Sequence, residues 1–290
     1  MTARPSQIWR LATRSVELGA RPCIMGILNI TPDSFSDGGT FLQLDRAVGH
    51  ALAMEDQGAD IIDIGGESTR PFAIPLSEDD EICRVIPVIE KLASRLSVPI
   101  SIDTYKAEVA REALKAGAEI VNDISSMTFD PGMAAVVSES NAGLVLMHTR
   151  GRPEEMQLDT AYGDIVQDIS RYFINALTRV DEAGISRDRV VLDPGIGFGK
   201  DIQGNLEILR RLDELSVLQQ PILVGTSRKS FIGAVLDRPV GERLLGTAAT
   251  VAVAILNGAS IVRVHDVNQM REVVVMTQAI RDGYSPLQAG

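Results

Sequence analysis

Polar groups recur along this sequence directly after short runs of apolar, mostly β-branched residues: Asn29, Asp63, Asp103, Asn122 with Asp123, His148, Asp193, the stretch Thr226-Ser227-Arg228-Lys229-Ser230, and His265 with Asp266. A lone Asp in such a place reads as a turn or helix-cap residue as readily as a catalyst. A coordinated set, one after every run, points instead to a common rim. Asp103, Asn122 and Asp193 bring acceptors and an amide, which suit a flat heterocycle rich in N–H donors; Arg263, His265, Arg228 and Lys229 bring cations suited to phosphate. Asn29 reads in two ways. It is a turn residue before Thr31-Pro32, or a neutral oxygen donor of the kind that helps hold Mg2+, a hard ion that takes most of its ligands from water and substrate phosphates.

Other motifs fall away on inspection. Gly195-Ile196-Gly197-Phe198-Gly199-Lys200 looks like a phosphate loop, but Asp201 stands where a Walker A sequence needs Ser or Thr and the glycine spacing is wrong. It reads as a flexible turn that leaves Phe198 exposed to the rim. Glu78 to Glu81 suits the positive end of a helix dipole, with Ser77 and Asp80 placed for a capping box, so that cluster reads as a solvated helix start and not a metal site. His50 falls within a helical pattern, far from any rim position, and reads as a surface residue. Cys23 and Cys83 lie in apolar surroundings at no metal-ligand spacing and read as reduced core thiols.

The elements that must position the rim follow from periodicity. Candidate strands lie at 23–28, 61–64, 99–102, 119–121, 143–147, 190–192, 221–224 and 260–264, and helical patterns at 44–57, 77–95, 105–116, 165–183, 206–215 and 244–257. Strand and helix alternate, and the strands are apolar without alternation, as expected where both faces are buried. An α/β fold results, a (β/α)8 barrel with its site at the C-terminal mouth. Residues 23–290 make one such domain, and residues 1–22 form an extension expected to cover the barrel bottom with Trp9 and Leu11. The connections 29–40 and 65–77 are long for this fold and read as lids. A net charge of −11 offers no basic footprint for nucleic acid, and no apolar stretch reaches the length a bilayer requires. No signal-peptide pattern occurs in the first 22 residues, so the expectation is a cytoplasmic protein.

Four longer motifs carry a resemblance. Ile27-Leu28-Asn29-Ile30-Thr31-Pro32-Asp33-Ser34-Phe35-Ser36-Asp37-Gly38-Gly39, Asp63-Ile64-Gly65-Gly66-Glu67-Ser68-Thr69-Arg70-Pro71, Asp193-Pro194-Gly195-Ile196-Gly197-Phe198-Gly199-Lys200 and Gly225-Thr226-Ser227-Arg228-Lys229-Ser230-Phe231 resemble, in this order, the dihydropteroate synthase family of bacterial folate synthesis. Ser101-Ile102-Asp103-Thr104, Val121-Asn122-Asp123-Ile124 and Arg263-Val264-His265-Asp266 agree, and the likeness runs from about residue 21 to 280. The resemblance implies a homodimeric barrel that joins 6-hydroxymethyl-7,8-dihydropterin diphosphate to 4-aminobenzoate, releasing diphosphate and 7,8-dihydropteroate. It implies that Asp103, Asn122, Met147, Asp193 and Lys229 hold the pterin; their places along the chain put Asp193 and Lys229 on opposite sides of the rim as an expectation of the rim reading. Asn29, Thr69, Arg263 and His265 would meet the diphosphate, where Mg2+ bridges the leaving group beside Asn29. Thr69, Arg70, Pro71, Phe198, Lys229 and Ser230 would form the aminobenzoate subsite, with Asp33 and Phe35 closing over it.

The chemistry so implied is an SN1-like alkyl transfer. Diphosphate leaves poorly until its charge is neutralised, a task for Mg2+ and Arg263, and the pterin methylene cation then needs nearby negative charge, such as Asp33, and exclusion of water. Asp33, Phe35, Lys229 and Arg263 are thus the expected catalytic groups. Phe72 departs from the family pattern, which commonly has a small residue there. It lies outward or against Ile74, or else leans toward the aminobenzoate subsite and discriminates against sulfonamides. Three other functions compete: a pterin-binding methyltransferase using methyltetrahydrofolate, an aldolase with Lys229 as Schiff base, and a non-catalytic pterin-binding scaffold. The first loop and Ser227-Arg228-Lys229-Ser230 favour the synthase over the methyltransferase.

Overall fold

In the computed structural model, which describes residues 6–30, 40–69 and 73–283, eight parallel strands form the wall of a nearly closed barrel. An antiparallel hairpin, β1 (Gln7–Arg10) and β2 (Ser15–Leu18), precedes the wall. The wall strands are β3 (Cys23–Asn29), β4 (Ile61–Gly65), β5 (Ile100–Asp103), β6 (Ile120–Asp123), β7 (Gly143–Met147), β8 (Val190–Asp193), β9 (Leu223–Val224) and β10 (Ile261–Val264). Around them run α1 (Thr40–Asp56), α2 (Glu78–Ala93), α3 (Ala107–Ala116), α4 (Met133–Ser140), α5 (Ile165–Glu182), α6 (Ile202–Arg210), α7 (Ser230–Leu236), α8 (Leu244–Leu256) and α9 (Val267–Asp282). Neighbouring strands follow the order β8-β7-β6-β5-β4-β3-β10-β9. Short β9 meets β8 through a single parallel bridge, Leu192 to Ile222, and a 2.9 Å hydrogen bond from Leu192 N to Pro221 O.

Successive strand residues face opposite sides, so each wall strand gives one series to the helices and the other to the interior. The lower interior positions, among them Met25, Ile61, Ile120, Val145, Val191 and Ile261, form one apolar cluster with Trp9, Leu11 and Leu18. The hairpin therefore plugs the barrel floor. Trp9 is fully buried and its indole N–H donates to Arg189 O at 2.8 Å, so its one polar atom is satisfied. Gly143 faces this plug, where a Cβ would come within 2.5 Å of Leu11 Cδ2.

Helix starts follow local chemistry. Ser77 caps α2 by accepting from Asp80 N at 3.2 Å, and Asp164 caps α5 by accepting from Val166 N and Gln167 N. Asp201, the residue that spoils the Walker pattern, caps α6 by accepting from Gly204 N at 2.7 Å. That cap starts α6 earlier than the apolar period suggests, and the segment after Arg211 tightens into a 3-10 turn, Leu212–Leu218. Three helices outside the expected set complete the ring. Helices α4 and α7 are too short to show a period, and α9 carries Val275, Met276 and Ile280 on an exposed face that blurs its period.

Two expectations are corrected. Glu81 is buried at 1% exposure, on the helix face shared with Val85, Val88 and Ile89, and its Oε2 accepts from Lys106 Nζ at 2.6 Å. Only the first three residues of that acidic run are solvated. Cys83 is exposed on the outer side of α2, and only Cys23 is a core thiol. No helix among the described residues is long and apolar enough to cross a membrane.

Candidate active site

Several of the rim residues lie within the strands at inward-facing positions, whereas His148, Ser227 and His265 follow the strand ends. Two residues after the floor positions Ile61, Ile120, Val191 and Ile261 stand Asp63, Asn122, Asp193 and Arg263, so on those strands interior chemistry changes from apolar to polar within one strand repeat, while Val145 is followed by apolar Met147. Pairing brings Asp103 beside Asn122 and Met147 beside Asp193. Asp103, Asn122, Met147, Asp193 and Arg263 accordingly converge on one throat.

Arg263 sits at its centre. Its Nε donates to Asp63 Oδ2 and its Nη2 to Asp103 Oδ2, each at 2.6 Å, so the guanidinium fork spans two carboxylates of neighbouring strands. Asn122 Nδ2 donates to the same Asp63 oxygen at 3.2 Å. Burial pushes the Asp103 carboxyl up to about 7; Arg263 opposes the rise and the negative charges of Asp63, Glu81 and Asp193 support it. Arg263 therefore holds carboxylates in this structure and does not stand as an isolated cation awaiting phosphate.

Asp193 and Lys229 are neighbours, not opposite partners across the rim. Asp193 Oδ1 accepts from Gly195 N at 2.7 Å, while Lys229 Nζ donates to Ile196 O, in the loop that follows β8. Lys229 also lies over the Phe198 ring, 4.6 Å from its centroid. Burial pulls the Lys229 ammonium down to about 8 against the attraction of Asp193, and burial likewise raises the Asp193 carboxyl.

The Gly195 to Lys200 segment is an internally bonded turn with Phe198 half-buried at the rim. Gly195, Gly197 and Gly199 all have positive φ, and at Gly195 a Cβ would fall 2.0 Å from His148 O. Lys200 is buried beneath, donating to Phe198 O at 2.7 Å and lying 2.9 Å from His148 Nδ1. Burial drives both side chains far down from their usual ranges, His148 further by the nearby Lys200 charge. This Lys–His pair was not legible as a unit, because the partners are far apart in sequence.

On the other side of the mouth, His265 Nδ1 lies 2.9 Å from Ser227 Oγ, which also accepts from His265 N at 3.2 Å. Arg228 donates to Asp266 at 3.0 Å, so that cation is already matched. Asn29, exposed, ends β3 next to Gly65 and Asp103, and Ser230 opens α7 beside Lys229. Among the described residues no three His, Cys, Asp or Glu side chains gather as a metal cage. Thr69 is half-buried at the edge of the second long connection, where Glu67 accepts from Tyr105 Oη at 2.7 Å and from Leu76 N at 2.8 Å. Asp33, Phe35, Arg70, Pro71 and Phe72 lie outside the described residues.

Comparison with known proteins bears on this geometry. The chain matches the pterin binding enzyme family over residues 25–265. It is 50% identical to a dihydropteroate synthase of Synechocystis sp. over 263 residues, 90% of this chain and 91% of that protein. Its fold superposes with TM-score 0.89 on the Yersinia pestis dihydropteroate synthase solved with a sulfonamide drug, at 44% identity, covering 95% of this chain and 99% of that one. The Xanthomonas albilineans dihydropteroate synthase with 4-aminobenzoic acid matches with the same score at 40% identity, covering 95% of this chain and 99% of that one.

Proposed function

Because this chain belongs to the dihydropteroate synthase family of pterin-binding enzymes, it is a transferase that joins 6-hydroxymethyl-7,8-dihydropterin diphosphate to 4-aminobenzoate, and we propose that its barrel throat holds the pterin ring. The observation that carries the assignment is the convergence of Asp103, Asn122, Asp193 and Lys229, with Met147 beside Asp193, where the interior turns polar. Carboxylates and an amide oxygen accept from the pterin N–H groups, Lys229 donates to a ring acceptor, and Met147 lies against the ring face. Asn29 and His265, at the strand ends nearest the opening, meet the diphosphate together with Thr69, and Arg263 reaches it from below while keeping its carboxylates. Phe198, Lys229 and Ser230 flank the aminobenzoate.

The donor set at the opening fits Mg2+ carried by the substrate. Asn29 offers one hard neutral oxygen and no cage competes among the described residues, so the ion would take its remaining ligands from diphosphate and water. Bound there, Mg2+ would neutralise charge on the departing diphosphate. The pterin C–O bond breaks, diphosphate leaves with the electron pair, and the amine nitrogen forms the new C–N bond and releases a proton to water. The barrel residues orient the ring and exclude water; none is needed as a base. Sulfonamides should compete with aminobenzoate, as fits the drug bound by the Yersinia pestis relative.

Two further assignments go with this reading. The free thiols Cys23 and Cys83 fit the reducing cytoplasm. Helix α8 is apolar nearly all round, with Leu245 82% exposed and Val253 also exposed, a face suited to a second copy of this chain. Turnover of the two substrates with Mg2+, followed by release of diphosphate and formation of dihydropteroate, tests the function; pterin binding without turnover would favour the scaffold. Mg2+ affinity should be weak until diphosphate is added. Tight binding of Mg2+ to the protein alone would contradict the substrate-carried ion.

A further inference from the structure

Asp63 lies one layer below the residues assigned to the pterin. It is mid-strand in β4, paired with Ile27 and Ser101, whereas Gly65, two positions on, pairs with Asp103. Its side chain is fully buried and has no surface to meet a substrate. Its contacts are nevertheless all with throat residues: Oδ2 accepts from Arg263 Nε at 2.6 Å and from Asn122 Nδ2 at 3.2 Å, while Oδ1 is buried without a hydrogen-bond partner among the described residues.

We propose that Asp63 is a positioning residue for the pterin pocket, one carboxylate oxygen setting the orientation of Asn122 and of Arg263, and through Arg263 that of Asp103. The proposal rests on the throat being the pterin site. An Asn side chain can present either its oxygen or its NH2 to a pocket, and nothing in its shape decides which. Beside a carboxylate the choice is forced, because the amide oxygen would face negative charge; Nδ2 turns down to Asp63 and Oδ1 is left for the ligand. Arg263 is fixed by a second geometric fact. Its planar fork can satisfy Asp63 through Nε and Asp103 through Nη2 only in one plane, so removing the lower carboxylate releases the upper one from a defined position. Asp63 thereby makes the throat rich in fixed acceptors, which a ring edge bearing N–H donors requires.

A bystander carboxylate that merely helps the barrel fold predicts something different. The positioning role predicts a selective loss of pterin recognition and a moved pH profile. Asp103 is faced by Asp63 from β4, Glu81 from α2, Asp193 from β8, Arg263 from β10 and Lys229 after β9. Neutralising Asp63 removes one negative neighbour and leaves Arg263 to Asp103 alone, and both changes favour the ionised Asp103.

The experiment is calorimetry of the full chain with 6-hydroxymethyl-7,8-dihydropterin from pH 5 to 9, with steady-state kinetics on both substrates, for the wild type and Asp63→Asn. The expected result is a roughly 10- to 100-fold weaker pterin affinity, a KM for aminobenzoate changed by less than about twofold, and an acid limb of pterin binding moved down by about one pH unit. Asp63→Asn and Asn122→Ala should also combine less than additively on pterin binding. If Asp63→Asn lowers the melting temperature but binds the pterin with wild-type affinity and an unmoved acid limb, Asp63 is structural only. Should that variant not fold, Arg263→Lys probes the same linkage, since one Nζ cannot span both carboxylates; unchanged pterin affinity there overturns the proposal. Failure of the wild type to bind the pterin overturns the throat assignment and this proposal together, whereas normal wild-type binding with an indifferent Asp63→Asn overturns this proposal alone.

Discussion

The floor and the mouth of this barrel are built on the same strands and the same inward parity, yet they are chemically opposite. Ile61 and Asp63, Ile120 and Asn122, Val191 and Asp193, Ile261 and Arg263 are each two residues apart, about 7 Å along a strand. Below, the side chains are apolar and the hairpin residues Trp9, Leu11 and Leu18 seal them from water. Above, buried carboxylates and cations sit where burial disfavours their charges. The difference teaches a division of labour: the floor supplies stability that the mouth then uses to hold unfavourable but functional groups.

The sharpest way to break that division is at the floor. Trp9→Ala should destabilise the protein by about 3–5 kcal/mol, through lost burial and a residual cavity. Urea unfolding should show that loss, while the fraction still folded binds the pterin with nearly wild-type affinity. A matching loss of affinity in the folded fraction would mean that floor and mouth are not separable. Next in size is Asp193→Asn at the mouth, expected to weaken pterin binding by about 1–3 kcal/mol. Calorimetry should show binding falling more than stability does. A variant that loses stability but keeps its pterin would place Asp193 with the floor.

How much of this was legible in the sequence depended on whether a signal was local. Strand order and the polar ends Asp103, Asn122 and Asp193 could be read because apolar runs and the residues closing them are adjacent in the chain. The Trp9 and Leu11 plug was legible for the same reason: an extension before the first strand has only the barrel bottom to cover. Asp63 was visible as a strand residue, but its role depends on inward parity and on Arg263, 200 positions away. Glu81 looked solvated because its compensating partner, Lys106, comes from another βα unit. The cation of Arg263 is plain in the sequence, but its pairing with Asp63 and Asp103 is not, because those partners come from other strands.

Lys229 allows the two regions to be separated by pH, with opposite signs. Its ammonium is pulled down to about 8 by burial, against 10.5 for the ordinary side chain. Between those values the unfolded chain binds more protons than the folded one, so the Lys229 contribution to stability rises with pH across that window. Pterin affinity should do the reverse and fall as the cation is lost above about pH 8. Thermal unfolding and calorimetry from pH 7 to 10 would test this, with Lys229→Arg removing the affinity inflection. If stability and affinity move in the same direction, Lys229 does not titrate while serving the ligand.

The smallest effect is expected at Asp201, in a mouth loop that behaves like the floor. The glycines before it invite a phosphate-binding reading, but three amides of the loop are already used: Gly195 N donates to Asp193, Gly197 N to Asn205 Oδ1 at 2.6 Å, and Phe198 N to Gly195 O at 3.0 Å. A phosphate cradle needs such N–H groups turned outward together. Asp201 itself is occupied as the α6 cap. Asp201→Ser brings the sequence a step nearer to a Walker motif while keeping a good cap, so stability should change by less than about 0.5 kcal/mol, and Asp201→Ala should cost about 1 kcal/mol. Neither should gain affinity for inorganic diphosphate beyond that of the wild type. A serine variant that binds diphosphate more tightly would show that these amides can be released, and would move the loop from the scaffold to the anion site.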